Sequence, residues 1–322
     1  MRKWIVAGIG VVAAAVVAVW GVFYGIFPMV SDPGTITVER SIDRITRGQY
    51  LANNVMVCVD CHTVREVDLY SMPPARSLEF GGGLAFTREM GVPGNVVSPN
   101  ISPGALREWS DGEVVRAIAS GVSRDGRVLF PIMPYHAYGT LDREDIYAVV
   151  AYLRVIPPVN RPVAKSKVDF PMNLIMRTLP RDPSFHTRPH LRDPVAYGRY
   201  LATAAGCPDC HTRRDAQGRP SGPMLAGGQE FLYPERFLAR SANITPDAET
   251  GIGNLTKEAF IARFKSRTDA DYRQMAVARG RPQTLMPWWA YSGMTAEDLG
   301  AIYDYLRTVP AVKNKVVTFE PR

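Results

Sequence analysis

Two cysteines and a histidine recur at the same spacing in two places along the chain. The first copy is Cys58-Val59-Asp60-Cys61-His62 and the second is Cys207-Pro208-Asp209-Cys210-His211. A C-x-x-C-H run is the pattern of a c-type haem attachment site. The two thiols add to the haem vinyl groups, and one helical turn presents both sulfurs and the imidazole, which becomes the proximal iron ligand. The sequence therefore predicts two covalently attached haem c groups, one on each copy.

Other uses of paired cysteines fit the pattern less well. All four cysteines fall in the two copies, and each copy has Asp before its second Cys and His-Thr after it. A redox pair needs no following His. A four-cysteine zinc ribbon brings two C-x-x-C pairs close in sequence, whereas these pairs lie far apart, each in its own repeat. Haem attachment is the better interpretation of both copies.

Two Met-Pro pairs supply candidate distal ligands. They open the stretches Met133-Pro134-Tyr135-His136-Ala137-Tyr138 and Met286-Pro287-Trp288-Trp289-Ala290-Tyr291, after which Asp, Tyr and Pro recur at identical offsets. The chain has 12 methionines, so a core Met is the alternative. Met133 and Met286 align with each other, and each precedes Pro, which holds the loop open. A thioether ligand favours ferrous iron and raises the potential. The predicted iron ligands are His62, Met133, His211 and Met286.

The remaining histidines are not predicted to bind iron. His136 aligns with Trp289, which cannot be a ligand, so His136 is expected at the surface or beside the propionates. His186 and His190 lie between the repeats and are expected to be structural or exposed.

Each haem motif lies in a repeat with the same order of elements. A helix carrying Gly-x-Tyr-Leu-Ala precedes each motif, at 48–52 and at 198–202. Gly48 and Gly198 are expected to let this helix cross another closely, with the Tyr and Leu residues filling the crossing. A second helix follows after a cap at Ser110 or Thr256. Closing helices are predicted over 142–154 and 295–307.

Long loops rich in Gly and Pro lie between the haem motif and the second helix. They contain Ser-Pro-Asn-Ile-Ser-Pro at 98–103 and Ser-Ala-Asn-Ile-Thr-Pro at 241–246. Loops of this length are usually functional, so Asn100, Asn243 and Trp109 are candidates for hydrogen bonds to the haem propionates. Ordinary turn chemistry is the competing interpretation, since Asn, Ser, Gly and Pro are turn residues.

The N-terminal residues form one long apolar run. Trp4 to Phe27 is uncharged and long enough to cross a bilayer, with Arg2 and Lys3 before it. By the positive-inside rule the N-terminus stays in the cytoplasm and the rest lies outside. A cleaved signal peptide is the alternative, but this run is longer and no polar segment with a cleavage site precedes Ser31.

The charge of the chain does not indicate nucleic-acid binding. The net charge is +7, and the basic residues are not clustered as they are in nucleic-acid-binding proteins.

With these motifs in view, the chain resembles di-haem class I cytochromes c. It is more closely similar to the cytochrome c subunits of membrane-bound bacterial alcohol, gluconate and aldehyde dehydrogenases. Those subunits typically carry three haems and often a C-terminal membrane segment, whereas this chain has two motifs and an N-terminal apolar run. The resemblance implies a mainly α fold with two tandem class I cytochrome c domains behind a transmembrane helix.

The domain boundaries follow from the repeats. They are an anchor at 1–30, a tether at 31–43, a first cytochrome c domain at 44–159, a Pro-rich linker at 160–192, a second domain at 193–313 and a tail at 314–322. The linker has one apolar run, at 170–176. It is expected to pack along the domain surfaces, and the alternative is docking on a partner or on the membrane face.

The sequence is compatible with three functions. If His and Met hold both irons, neither has a free position, and the chain shows no catalytic set, so an electron carrier without catalytic residues is expected. A di-haem peroxidase would need one five-coordinate iron. An obligate subunit of a dehydrogenase complex is the third. The predicted partners are a dehydrogenase, a quinol-oxidising complex or a terminal oxidase, at the periplasmic face of the bacterial inner membrane.

Overall fold

The polypeptide begins with one long helix. The computed structural model describes residues 2–215 and 218–322, without the side chains of residues 2, 3, 5–7, 12 and 13. Helix α1 covers Arg2–Ile26, and its stretch Gly8–Ile26 has a mean hydropathy of 2.3, with none of it buried against the rest of the chain. By length and composition it fits a membrane span, a test that a signal sequence also passes. The predicted orientation depends on Arg2 and Lys3, whose side chains lie outside the described part.

The rest of the chain is mainly helical, and the order of elements repeats. The first repeat (residues 44–159) and the residues leading into it contain α2 (Ile42–Tyr50), a π-helix (Leu51–Val55), α3 (Cys58–Cys61), a 3-10 helix (Arg76–Leu78), β1 (Ala85–Phe86), a 3-10 helix (Arg88–Met90), β2 (Gly94–Val97), α4 (Pro103–Leu106), α5 (Asp111–Ser120), α6 (Tyr135–Tyr138) and α7 (Arg143–Leu153). The linker adds β3 (Lys167–Val168), α8 (Met172–Ile175) and a 3-10 helix (Met176–Thr178).

The second repeat (residues 193–313) follows the same plan. It contains α9 (Pro194–Ala204), α10 (Cys207–His211), β4 (Glu230–Tyr233), β5 (Phe237–Arg240), α11 (Lys257–Lys265), α12 (Asp269–Tyr272), α13 (Trp288–Tyr291) and α14 (Ala296–Leu306), and the tail adds β6 (Phe319–Pro321).

In each repeat the first and last long helices cross at a glycine. A Cβ added to Gly48 would lie 1.8 Å from the carbonyl oxygen of Ala148 in α7, and one added to Gly198 would lie 1.8 Å from that of Ala301 in α14. Only a residue without a side chain permits this approach. The predicted close crossing is therefore confirmed in both repeats, and Leu51 and Leu201 are fully buried.

Local signals place the helix ends as predicted. Ser110 and Glu113 form a reciprocal capping box at the start of α5, and Asp142 and Thr295 cap α7 and α14. The first repeat has one residue more than the second between its crossing glycine and its first cysteine. The π-helix at Leu51–Val55 accommodates that residue, because a wider turn absorbs an insertion without breaking the helix.

Two small antiparallel sheets were not predicted. Their strand orders are β1-β2-β3 and β4-β5-β6, so the linker supplies the third strand of one sheet and the tail the third strand of the other. Strands of two to four residues are too short to show the alternation by which a strand is recognised. The expected packing of the linker against a domain surface is confirmed by the pairing of β3 with β2.

The two repeats share one hydrophobic core and exchange hydrogen bonds. The core cluster runs from Val38 to Val309 and includes residues of both repeats. The Tyr50 hydroxyl donates to Asp298 at 2.6 Å, and the Tyr200 hydroxyl donates to Asp145 at 2.6 Å. These tyrosines were predicted to fill the helix crossing of their own repeat, and their hydroxyls also reach the other repeat. The reciprocal bonds hold the start of each closing helix against the other repeat.

Candidate haem sites

The first site is built around His62, whose orientation is set from a distant loop. The His62 Nδ1 lies 2.8 Å from the carbonyl oxygen of Pro99, and the His62 carbonyl accepts from the Gly82 amide at 2.7 Å. A carbonyl partner on Nδ1 places the proton there and leaves the Nε2 lone pair for a metal. Val57, directly before α3, has a left-handed backbone with φ of 51°.

The second site repeats this geometry. The His211 Nδ1 lies 2.7 Å from the carbonyl oxygen of Ala242, and the His211 carbonyl accepts from the Gly227 amide at 2.7 Å. The left-handed position before the motif is occupied here by Gly206, with φ of 67°. The same orientation of both imidazoles is therefore produced by two different local sequences.

A glycine lets the orienting carbonyl come close in each site. Gly82 and Gly227 have φ of +70° and +76°. An added Cβ would lie 2.5 Å from the carbonyl carbon of Pro99 or of Ala242, respectively. Both the positive φ and the contact exclude other residues. The Gly-rich loops are thus needed to hold the two histidines.

Burial keeps both imidazoles in the form that binds iron. It lowers the pKa of His62 and His211 below the ordinary value, and the hydrogen bond to the backbone carbonyl only partly offsets this. A neutral imidazole with Nδ1–H engaged is the ligand form, since metal binding competes with protonation.

The cysteines lie on the accessible side of each site. Cys58 and Cys207 are half-buried and Cys61 and Cys210 exposed, and all four, which lie in the described part, are free thiols. Among the described residues no cluster of three or more His, Cys, Asp or Glu side chains is arranged to hold a metal ion. The accessibility of the sulfurs suits thiols that add to a porphyrin edge.

An ion pair lies beside each haem motif and was not predicted from the sequence. Asp60 pairs with Arg65, and Asp209 pairs with Arg214 at 2.6 Å. The first pair is nearly buried, at 10% and 9% side-chain exposure, and the second is more open, at 45% and 30%. The signal was present as the repeated run Asp-Cys-His-Thr-x-Arg. Each acid is compensated, so neither leaves an unpaired negative charge beside the site.

The threonine of the same run fixes the start of the following loop. The Thr63 and Thr212 hydroxyls accept from the amides of Phe80 and Leu225 at 3.0 and 3.1 Å. Phe80 and Leu225 both have positive φ, 62° and 63°. In both repeats the bond to the threonine hydroxyl thus holds Phe80 or Leu225 in a backbone conformation that is unfavourable for residues other than glycine.

The two Met-Pro pairs form turns of the same type. The Tyr135 amide donates to the Met133 carbonyl at 2.8 Å, and the Trp288 amide donates to the Met286 carbonyl at 2.8 Å. With Pro134 at φ −82°, ψ 48° and Pro287 at φ −80°, ψ 65°, both are inverse γ-turns. Both methionines are half-buried against the core. Their ligation of iron stays a prediction.

A tyrosine joins each Met turn to its haem motif. The Tyr138 hydroxyl donates to the Met56 carbonyl at 3.1 Å, and the Tyr291 hydroxyl donates to the Ala205 carbonyl at 2.6 Å. Each acceptor is two residues before the first cysteine of its motif. The Met turn and the haem motif of each repeat thus border one site.

The two repeats meet beside these sites. The Asn54 side-chain amide, four residues before Cys58, donates to the Ala290 carbonyl at 2.9 Å, and the Trp288 amide of the second Met-Pro turn donates to the Ser71 hydroxyl at 3.0 Å. The first repeat therefore contacts the Met turn of the second.

The side chains of the two loop asparagines hydrogen-bond to other residues of this chain. Asn100 donates to the Val159 carbonyl at 2.7 Å and accepts from the Ser102 amide at 2.9 Å. Asn243 makes the same bonds with Val312 at 2.7 Å and Thr245 at 3.0 Å. These are the turn contacts of the competing interpretation, and they tie each loop to the segment after the closing helix. Trp109 is half-buried against the core. Propionate contacts from the three residues stay a prediction.

The other three histidines, His136, His186 and His190, are exposed. His136 is exposed, with its ring centroid 4.4 Å from that of Tyr135, and the Nδ1 of His190 accepts from the Arg192 amide at 3.0 Å. The aligned Trp289 is buried at 5% exposure. The absence of a ligand role for His136 stays a prediction.

Comparison with known proteins points to the same class. No family model matches the chain. It is 28% identical to the cytochrome c subunit of the quinone alcohol dehydrogenase of Gluconacetobacter polyoxogenes and 30% identical to the fructose dehydrogenase cytochrome subunit of Gluconobacter japonicus, over 83% of its own length. It covers 56% and 53% of those proteins, so the chain spans about half the length of these curated relatives.

A shorter relative matches more completely. The diheme cytochrome c-type protein of Cereibacter sphaeroides is 29% identical over 80% of this chain and 83% of its own length. The homologues of this chain are therefore cytochrome c subunits of bacterial dehydrogenases and a diheme cytochrome c. The resemblance drawn from the motifs is confirmed, and cytochrome c homology implies covalently bound haem c.

Proposed function

We propose that this chain is a membrane-anchored di-haem c-type cytochrome that passes electrons from a membrane dehydrogenase or quinol-oxidising complex to a downstream acceptor. Residues 44–159 and 193–313 are its two tandem class I cytochrome c domains. The observation that carries the proposal is the duplicated site: in both repeats a buried His has its Nδ1 held by a loop carbonyl, and a Met-Pro turn is tied by a tyrosine to the start of the C-x-x-C-H run.

The chain's own residues would hold the two haems as follows. Cys58 and Cys61 attach the first haem, with His62 and Met133 on its iron. The equivalent residues in the second repeat are Cys207, Cys210, His211 and Met286. Iron held in this way supplies reversible one-electron transfer. The carbonyl bonds on Nδ1 orient the imidazoles and increase their basicity as ligands.

The partner is proposed from the relatives. Those named above are cytochrome subunits of alcohol and fructose dehydrogenases, so a substrate-oxidising dehydrogenase is the proposed electron donor. Helix α1 would anchor the chain in the cytoplasmic membrane, with the haem domains on the periplasmic side. Anchoring raises the local concentration of the carrier near such complexes.

A di-haem peroxidase is not favoured. It requires one iron with an open position, whereas both repeats have the same Met-Pro turn tied in the same way to the haem motif. The relatives point to electron transfer as well. A high-spin ferric haem that readily binds cyanide would contradict this preference.

Ligand substitution tests the assignment of each iron. We expect two haems per chain by pyridine haemochrome assay. Met133→His and Met286→His should each lower the potential of one haem, by a measurable fraction of the roughly 0.8 V range that axial ligands span. Covalent attachment should be unchanged. Met294→Leu is the control, because Met294 is a fully buried core residue of the second repeat and should leave both potentials unchanged.

The result for Met286→His is decisive for the second site. If both potentials stay at their original values, Met286 does not bind iron. Co-purification from native membranes in mild detergent then tests the partner. A stoichiometric dehydrogenase large subunit supports the proposed donor, and recovery of the cytochrome by itself would support a free-standing carrier instead.

A further inference from the structure

The end of helix α1 is held by the linker between the repeats. The Arg177 guanidinium lies over the Tyr24 ring, 4.4 Å from its centroid, and its Nη2 donates to the Phe27 carbonyl. A few residues further on, the Ser31 amide and hydroxyl donate to the Asp182 carboxylate at 2.8 and 2.7 Å. The linker therefore sits beside the point where the apolar helix ends.

The part of the linker next to Arg177 is an exposed apolar segment, residues 170–176, which we call the apolar tip. Phe170 is 74% exposed and Ile175 is 49% exposed. Met176 is buried and fixes the segment to the protein. Large apolar side chains exposed together mark an interaction site more often than single ones do.

The apolar tip is also fixed to the first repeat. Val168, just before it, pairs with Gly94 in the sheet, and the Asp169 amide donates to the Pro93 carbonyl at 2.9 Å. Asp169 accepts two bonds from the Arg88 guanidinium, at 2.7 and 2.5 Å. Its exposure is thus built into the fold and is not that of a free loop.

The position of α1 identifies what would cover this surface. Trp20 and Tyr24, near the end of the helix, stack with their ring centroids 5.3 Å apart, and both are exposed. Paired Trp and Tyr at the end of an apolar helix are typical of the membrane–water interface. Because Arg177 contacts both Tyr24 and Phe27, the tip that precedes it in sequence lies at the same level as that interface.

We propose that the apolar tip inserts into the outer interface of the phospholipid bilayer that α1 crosses. The inference rests on the proposed anchoring by α1. With two attachments, the helix and the tip, the first repeat has a fixed orientation on the membrane. Electron transfer to a membrane partner would then occur from one face of the protein.

Spin labelling of the full-length holoprotein in phospholipid nanodiscs tests the proposal. Phe170→Cys carries the label, and Leu191→Cys is the matched control, since Leu191 is a linker residue with 64% exposure that lies 15 residues beyond the apolar tip in the sequence. Each labelled variant is also measured without either reagent, and that value is subtracted so that relaxation by the haem irons cancels. We expect power saturation to show at least a several-fold higher ratio of oxygen to nickel-chelate accessibility at position 170 than at position 191.

Equal ratios at the two positions would overturn the proposal, and so would a label at 170 that is sheltered from both reagents, which would indicate a protein partner. Ile175→Cys is a second reporter with the same expectation, should the first variant lose haem. Alkaline carbonate extraction tests the anchor separately. Release of the chain by carbonate would mean that α1 does not anchor it. Retention with a water-accessible tip would overturn the tip contact and leave the anchor intact.

Discussion

Replacing Gly198 by alanine should disrupt the helix crossing on which the second repeat is built. Gly198 lies in α9, and its added Cβ would lie 1.8 Å from the Ala301 carbonyl oxygen and 2.4 Å from the carbonyl carbon of α14. Both atoms belong to the backbone of a packed helix, so no side-chain rotation relieves the contact. The two helices must move apart by roughly 1 Å or more, because Cβ contacts below 3.0 Å essentially never occur.

The size of the effect follows from two opposing contributions. Alanine is the better helix former by about 0.5–1 kcal/mol. Overpacking a tight core costs about 1–3 kcal/mol when side chains can adjust, and here backbone must shift. The net loss in the free energy of unfolding should reach about 3 kcal/mol. The shift is about 2–4 °C per kcal/mol for chains of 150–250 residues and smaller for longer ones. For this chain of 322 residues the melting temperature should fall by about 6 °C or less.

Gly300→Ala is the matched control on the partner helix. Gly300 is buried in α14 beside Ala301, but its added Cβ would meet only Lys257 at 3.5 Å and Ile261 at 3.7 Å. The substitution should therefore stabilise the protein by about 0.5–1 kcal/mol. Guanidinium unfolding of both holoprotein variants, followed by far-UV circular dichroism, measures the difference. If Gly198→Ala unfolds at the same denaturant concentration as Gly300→Ala, the close crossing does not exist.

Two further predictions concern polar groups in the core. Although burial disfavours its charge, Arg47, Tyr200 and Arg188 hold the pKa of Asp145 below its usual range. The stabilisation is therefore present above the unfolded-state pKa of about 3.9 and is lost as pH falls below that value. Asp145→Asn should unfold with a flatter pH dependence below about pH 4, and parallel curves would contradict this. Tyr135→Phe, which removes a buried hydroxyl without a partner among the described residues, should be neutral or stabilising by about 1 kcal/mol. Tyr138→Phe, which removes the bond to Met56, should cost about 1 kcal/mol. The reverse order in chemical denaturation would show that the Tyr135 hydroxyl has a partner in the holoprotein.

Sequence periodicity and short motifs were sufficient for the helix caps and for the features that recur in both repeats. The capping box at Ser110 and Glu113, the cap at Thr295 and the crossing glycine Gly48 all appear as predicted. These features are local, or they repeat in a second copy that shows their register. The duplicated runs also identified both haem motifs and both Met-Pro turns before any contact was known.

Contacts between distant residues were beyond the sequence. The partner of His62 is the carbonyl of Pro99, and a backbone carbonyl leaves no mark in residue type. The bond from Tyr50 to Asp298 joins the two repeats. The sequence predicted only that Tyr50 fills the helix crossing of its own repeat. The sheets escaped for the same reason, since a two-residue strand exists only where a partner strand lies beside it.

The amino-acid sequence by itself determined the chemistry of this protein: the thiols and imidazoles, their spacing on one helical turn and their duplication. Tertiary structure decided how that chemistry is arranged. It placed the Nδ1 of each histidine on a loop carbonyl, the first repeat against the Met turn of the second and the linker against the end of α1. Spacing along one turn is a property of local geometry, whereas these arrangements depend on which distant surfaces bury each other when the chain folds.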